Sequence, residues 1–261
     1  MKPGNLESFR AWIERVRPLL CEQLIPLTPM AELEEMLRIH SRLVVILNHG
    51  PMLGPAPALI GMAELMLRAG GGQRYPFGIT WRGFYRLPGM RTFMQWFTQT
   101  DEPPNVDSAT QRLKEGPWTD CCIMPEGELC NVGNGVDVQP FLSSRFVEIA
   151  VRAGCPVLLL AHHGSGQLAR TLSLPDSLAG AGRFLPKHLG RRLQQTRTLS
   201  VPWLLQPRLK ALRVDWELFW PELEEADLEG PDAEQRVNAQ GRKARARLQL
   251  MVNRLVLDAE H

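Results

Sequence analysis

The sequence has little that would mark a fibrous, disulfide-stapled or membrane-spanning protein. Its 261 residues include only five cysteines, and Cys121 and Cys122 are adjacent. A disulfide framework is therefore not expected, and a reduced, cytoplasmic setting fits better. No long uncharged run is free of turn residues. The longest, Leu43 to Ala63, holds Asn48, His49, three prolines and three glycines, which is turn chemistry rather than a helix able to cross hydrocarbon. At the N-terminus, Glu7, Arg10, Glu14 and Arg15 interrupt the basic, apolar and small-residue order of a secretory signal, so no leader is expected. Internal repeats and low-complexity tracts are lacking. Thirty Lys and Arg against 28 Asp and Glu give no overall case for a nucleic-acid partner.

Chemical signatures are sparse too. There is no G-x-S-x-G elbow, no P-loop and no G-x-G-x-x-G. Gly70-Gly71-Gly72 follows a helical pattern and reads as a helix C-cap and loop. The neighbouring His162 and His163 diverge, and no further Cys/His cluster stands at ligand spacing, so neither a metal nor a cofactor is expected.

What is present is an ordinary composition, 44% apolar and 22% charged, with ample side chains for a core. One domain is expected: an N-terminal helical segment (1–40), a motif-bearing core (41–165), then a basic segment and C-terminal helix (166–261). Leu6, Phe9, Ile13, Val16 and Leu20 recur at helical steps, predicting an amphipathic helix over 5–24 that Pro18 kinks or divides. Leu43-Val44-Val45-Ile46-Leu47 fits a strand buried on both faces. Helices are expected over 30–38, 58–68, 89–97, 107–114, 143–153 and 233–258, and strands over 76–80, 121–124 and 156–161. Such alternation predicts an α/β fold with a mostly parallel central sheet flanked by helices.

The charges are unevenly spread. No acid falls between Asp176 and Asp215, whereas Arg183, Lys187, Arg191, Arg192, Arg197, Arg208, Lys210 and Arg213 do. The balancing acids follow from Asp215 to Glu229. A basic segment carrying Trp203 and several leucines suits an anionic membrane surface or a phosphate-bearing ligand. A solvated loop and helix face is the plainer alternative.

In an open parallel sheet, ligands bind outside the carboxyl ends of the strands. Three expected strand ends carry polar or turn residues: Asn48-His49-Gly50, Pro125-Glu126-Gly127-Glu128 and His162-His163-Gly164. With an unperturbed pKa near 6.5, a histidine on such a turn can take a proton from a hydroxyl at neutral pH. A structural role is equally open to it. Glu126 can hold that histidine, bind a hydroxyl or cap the next segment.

The order of motifs is more informative than any one of them. Asn48-His49 after an apolar strand, Arg86-Leu87-Pro88-Gly89, Met124-Pro125-Glu126-Gly127, and Phe146 to Gly154 leading to Cys155-Pro156-Val157-Leu158 follow one another over residues 40–165. This series resembles the glycerolipid acyltransferase superfamily, the lysophosphatidate acyltransferase-like enzymes. The resemblance implies an acyltransferase-like fold and O-acyl transfer from an acyl thioester, on coenzyme A or acyl carrier protein, to a lipid hydroxyl. It implies His49 as general base with Glu126 as its catalytic companion, and no covalent acyl-enzyme. Around the substrates it places Asn48, Gly50, Gly54, Arg82, Arg86, Pro125, Gly127 and Glu128. The implied partners are an acyl donor, a lipid acceptor and a membrane surface, contacted peripherally from the cytoplasmic side.

The series also departs from the family. Where His-x4-Asp is usual, the fifth residue after His49 is Gly54. Pro-Glu-Gly-Thr-Arg reads Pro125-Glu126-Gly127-Glu128-Leu129, without the phosphate-binding Arg. The segment after Trp96, expected as a strand with another basic residue, reads Phe97-Thr98-Gln99-Thr100-Asp101. The type-2 diacylglycerol acyltransferase branch also lacks the Asp, and His49-Gly50 and Arg86 to Arg91 look similar to it. Loss of both basic positions removes charge-assisted bonds to a phosphate, which implies a neutral lipid alcohol or another head group as acceptor. A non-catalytic lipid- or acyl-chain-binding protein and an acyl-thioester hydrolase are the alternatives.

Overall fold

The computed structural model describes residues 3–51, 54–134, 136–175, 185–203 and 208–260. Its strands are β1 (Cys21–Pro26), β2 (Leu43–Leu47), β3 (Pro76–Ile79), β4 (Asp120–Ile123), β5 (Val157–His163), β6 (Ala169–Ser173), β7 (Thr198–Pro202) and β8 (Leu209–Phe219). Its α-helices are α1 (Arg10–Leu20), α2 (Met30–Ile39), α3 (Pro55–Arg68), α4 (Met90–Thr98), α5 (Val106–Glu115), α6 (Arg145–Ala153), α7 (Lys187–Thr196) and α8 (Ala233–Glu260). Six strands form one sheet in the order β1-β8-β5-β2-β4-β3, while β6 and β7 make a separate antiparallel pair. The only antiparallel join described in the large sheet is β5 with β8. The protein is thus α/β, with a mostly parallel sheet flanked by helices.

Alternation along the strands decides which layer each side chain enters. Val44, Ile46, Val157 and Leu159 point into the layer under α5, α6 and α8. Leu43, Val45, Leu47, Leu158 and Leu160 point into the layer under α1, α2 and α3. Being covered on both faces, β2 can be apolar throughout, and all five of its residues are buried. Helix starts follow their side chains: Pro55 opens α3, and the Asn105 carboxamide oxygen accepts from Ser108 N at 2.8 Å to open α5.

Several sequence expectations are corrected. Residues 5–24 are not one helix: a 3-10 turn over 6–9 leads into α1, Pro18 is accommodated within it, and residues 21–26 are β1. The segment 1–40 is therefore not wholly helical. Likewise 166–261 is more than a basic segment and a helix, since it supplies β8, the longest strand of the sheet, and the pair β6 and β7. Thr98 ends α4 and Gln99 has a positive φ of 56°, so no strand follows Trp96. His162 and His163 lie within β5 rather than beyond its end.

The basic segment is divided among different environments. Arg183, Phe184, Leu204 and Leu205 lie outside the described residues. In β8, even-numbered Leu212, Val214 and Trp216 enter the core. Arg213, Asp215 and Glu217 on the other face meet Asp258, Arg254 and Arg247 of α8 at 2.9, 2.9 and 3.0 Å. Charges that read as a run in sequence are, in this stretch, one face of an amphipathic strand paired with a helix.

A buried ion pair fixes the opposite ends of the strands. Arg74, just before β3, reaches fully buried Asp120 at the start of β4 at 2.6 Å and donates to His40 O at 2.8 Å. Asp120 has no access to water, so the pair with Arg74 is what offsets its burial.

Candidate active site at the carboxyl edge of the sheet

Because β2, β3, β4 and β5 are parallel, their carboxyl ends share one edge. There β2 delivers Asn48, His49 and Gly50, while β4 delivers the turn Pro125-Glu126-Gly127-Glu128. Asn48, 8% exposed, is clamped to β5. Its side-chain amide donates to His162 O at 3.1 Å, and His162 N donates to its oxygen at 2.8 Å. His162 Nε2 then donates to Asn48 O at 2.7 Å, which leaves Nδ1 as a bare, buried nitrogen without a partner among the described residues. Burial pushes the His162 imidazole down to about 4, so it is neutral at physiological pH. It is a fastener rather than an exposed ligand.

His49 follows the clamp. Its Nδ1 lies 2.9 Å from Gly50 O, and a carbonyl oxygen can only accept, so Nδ1 carries the proton and Nε2 the lone pair. Among the described residues no hydrogen bond occupies Nε2. Burial holds the imidazole below its usual value, against the opposing influence of the Gly50 bond and the Glu128 charge. Gly50 has φ +63°, and a Cβ there would lie 2.6 Å from Ser165 Oγ. Both the left-handed backbone and the close approach of Ser165 require glycine.

Glu126 is 2% exposed. One carboxylate oxygen accepts from His49 N at 2.7 Å and the other from Gln139 N at 2.5 Å. Burial nevertheless pushes the carboxyl up to about 7, with the two N–H bonds and Arg245 working against that rise. Glu126 thus holds the main chain of the His49 turn and does not touch its ring. Pro125 O accepts from Leu142 N at 2.8 Å, and Gly127 has φ +53° with Leu142 where a Cβ would stand. A recess of about the size that holds one water lies between the two turns, lined by Asn48, Gly50, Glu126, Val136 and Val138 among others.

The remaining expected site residues are more dispersed. Gly54 caps α3 beside Ser165, so the place of the expected Asp is taken by backbone, and the Gly50 carbonyl meets the ring instead. Glu128 is exposed and bonded to His188 of α7 at 2.7 Å. Burial raises its carboxyl, but the His188 bond and charge bring it below the usual range. Arg82 and Arg86 sit on an exposed 3-10 turn after β3, and no ion pair or hydrogen bond among the described residues ties them to the His49 turn.

Four further residues stand at this edge, and of these only Arg192 has a signal in the sequence, as a member of the basic run. Gln139 donates its main-chain N–H to Glu126, and its side-chain amide oxygen accepts from Arg192 of α7 at 2.9 Å. Ser165 is buried against Gly50 and Gly54, and His188 and Arg192 arrive on a helix some sixty residues downstream. Burial also pushes the Cys122 and Cys155 thiols up to about 12, so neither is a thiolate at neutral pH. Among the described residues no His/Cys/Asp/Glu group has the geometry to hold a metal ion.

Fold and site together define an α/β protein with a histidine and a buried carboxylate at the carboxyl edge of its sheet. No family model and no curated protein matches the sequence. Among solved structures, the chain is similar to the 1-acyl-sn-glycerophosphate (LPA) acyltransferase PlsC from Thermotoga maritima, at 14% identity and a TM-score of 0.48, over 94% of this chain and 79% of that one. At that level the likeness assigns neither a family nor an activity to this protein.

Proposed function

We propose that the chain transfers an acyl group from an acyl thioester, on coenzyme A or acyl carrier protein, to the hydroxyl of a lipid acceptor, with His49 as general base. The observation that carries the reading is the protonation pattern of His49. Nδ1–H is committed to the Gly50 carbonyl, which leaves the lone pair on Nε2. Burial favours the neutral ring, which is the form a base needs. The motif series from Asn48 to Leu158 supports acyl transfer as the reaction class.

In the proposed step, Nε2 takes the proton of the acceptor hydroxyl while the oxygen attacks the thioester carbonyl. The tetrahedral intermediate collapses by breaking the carbon–sulfur bond, and the departing thiolate recovers the proton from the imidazolium. Ester and free thiol are the products, and no group on the protein is acylated. Glu126 acts on the main chain, fixing where the His49 turn stands. The usual aspartate is absent, and the Gly50 carbonyl orients the ring in its place. A lipid acceptor of this class would bring the protein to the inner face of a membrane, although no helix among the described residues is long and apolar enough to cross one.

Purified protein given labelled acyl-CoA and a panel of detergent-dispersed lipid alcohols should form ester. His49→Ala, with its fold intact by circular dichroism, should reduce ester formation by about a hundredfold or more, the scale of general-base catalysis. Undiminished activity would remove His49 from its role. Thioester cleavage without acceptor dependence points to a hydrolase, and binding without turnover to a lipid carrier.

A further inference from the structure

From Leu65 to Thr100 the chain has five arginines and no acidic residue. Arg68 is paired with Glu64 and Arg74 with Asp120. Arg82, Arg86 and Arg91 are exposed, and none has an acidic partner among the described residues. Between and beside them stand Trp81, Leu87, Met90 and Phe93, exposed at 66, 47, 36 and 49%, and none joins a hydrophobic core among the described residues. Exposed Trp, Phe, Met and Leu gathered on one turn and helix are costly for a surface that meets only water, whereas the guanidinium groups beside them are not.

The platform under these residues is firmly held. The Tyr85 hydroxyl is bonded to Thr98 Oγ1 at 2.7 Å and Thr100 Oγ1 at 2.9 Å, locking the 3-10 turn to α4. Trp96, on the inner side of α4, packs edge-on against Phe9 and Trp12 of the N-terminal segment. Trp81 lies across Gly83, where a Cβ would collide with its ring at 2.1 Å, and meets Phe84 edge-on. The apolar side chains are thus presented by a rigid turn and helix rather than left over from a loose loop.

We infer that this face, formed by the 3-10 turn after β3 and by α4, is a docking surface for an anionic lipid bilayer. Trp, Phe and Met would enter the headgroup boundary while the three arginines meet lipid phosphates. Charge complementarity selects an anionic surface, and the protruding aromatic rings favour lipid over an acidic protein. Since β3 ends on the same sheet edge as β2, the bilayer would lie on the side where His49 stands. The surface is independent of the acyl-transfer reading.

The test is co-sedimentation of the full chain with vesicles of phosphatidylglycerol and phosphatidylcholine, compared with phosphatidylcholine alone. The wild type should bind the anionic vesicles and release them at high salt. Trp81→Ser with Phe93→Ser, fold checked by circular dichroism, should weaken binding about tenfold, and Arg82→Glu with Arg91→Glu should remove the preference for anionic lipid. Lys187→Glu with Arg191→Glu on α7 should leave binding intact. Failure to sediment, unchanged binding in the first two variants, loss in the α7 variant, or capture of an acidic carrier protein in place of vesicles would each overturn the assignment. Ester formation on a detergent-dispersed acceptor is scored separately, so either reading can fail without the other.

Discussion

Replacing Glu126 by Gln tests how the buried carboxylate acts. Both of its oxygens accept backbone N–H groups, from His49 and Gln139, yet burial raises its pKa from 4.5 to about 7. A carboxyl whose folded pKa is raised stabilises the fold below its unfolded pKa, and that contribution is lost as pH rises through the folded value. With these two values, the wild type should lose about 2.5 kcal/mol between about pH 5 and about pH 8 through this group alone. The amide cannot ionise, so E126Q should lack this component of the pH dependence. It retains one acceptor and turns an NH2 group toward the other N–H, a cost of about 1–3 kcal/mol. Urea unfolding of both proteins at the two pH values isolates the effect, because the cost of the amide largely cancels in the difference between pH values. A wild type and a variant with the same pH dependence would refute the argument. In the enzyme assay, the same titration should give wild-type activity an acid limb near 7. E126Q, held in the uncharged form of the acid, should stay at the low-pH activity level through that range and lack the limb.

Two further substitutions probe the supports of the site. Asn48→Ala removes both arms of the β2–β5 clamp and orphans His162 N and O in the core, so chemical denaturation should show a loss of about 2–4 kcal/mol. Arg74→Met leaves Asp120 fully buried without its ion-pair partner, and should cost about 3–5 kcal/mol. Adding Asp120→Asn should restore part of that loss, a coupling readable in a double-mutant cycle.

The carboxyl-edge site was partly legible. An apolar run ending in Asn48-His49 and another ending in Pro125-Glu126-Gly127 are local signals, and parallel pairing brings both to one edge. The role of Glu126 was less legible, because its partners are main-chain N–H groups of residues 77 and 13 positions away. The sequence places His162 just beyond a strand end, yet strand β5 continues through it and turns its ring onto Asn48 O. The segment around Arg213 looked like a basic surface because its partners Arg247, Arg254 and Asp258 lie on a helix more than thirty residues later.

By itself, the sequence determined the α/β class, the core strands at 43–47 and 157–161 within β2 and β5, most of the helices, and the want of a membrane-crossing helix among the described residues. These depend on local apolar periodicity, caps and turn residues, which act over a few positions. Only the tertiary structure decided that residues 21–26 and 209–219 extend the sheet beyond β5, since the two segments pair with each other across 188 positions, Cys21 with Leu209. It alone decided which nitrogen of His49 is free and which carboxylate sits behind its main chain. Hydrogen-bond direction and desolvation are properties of the assembled neighbourhood, and no periodicity in the chain encodes them.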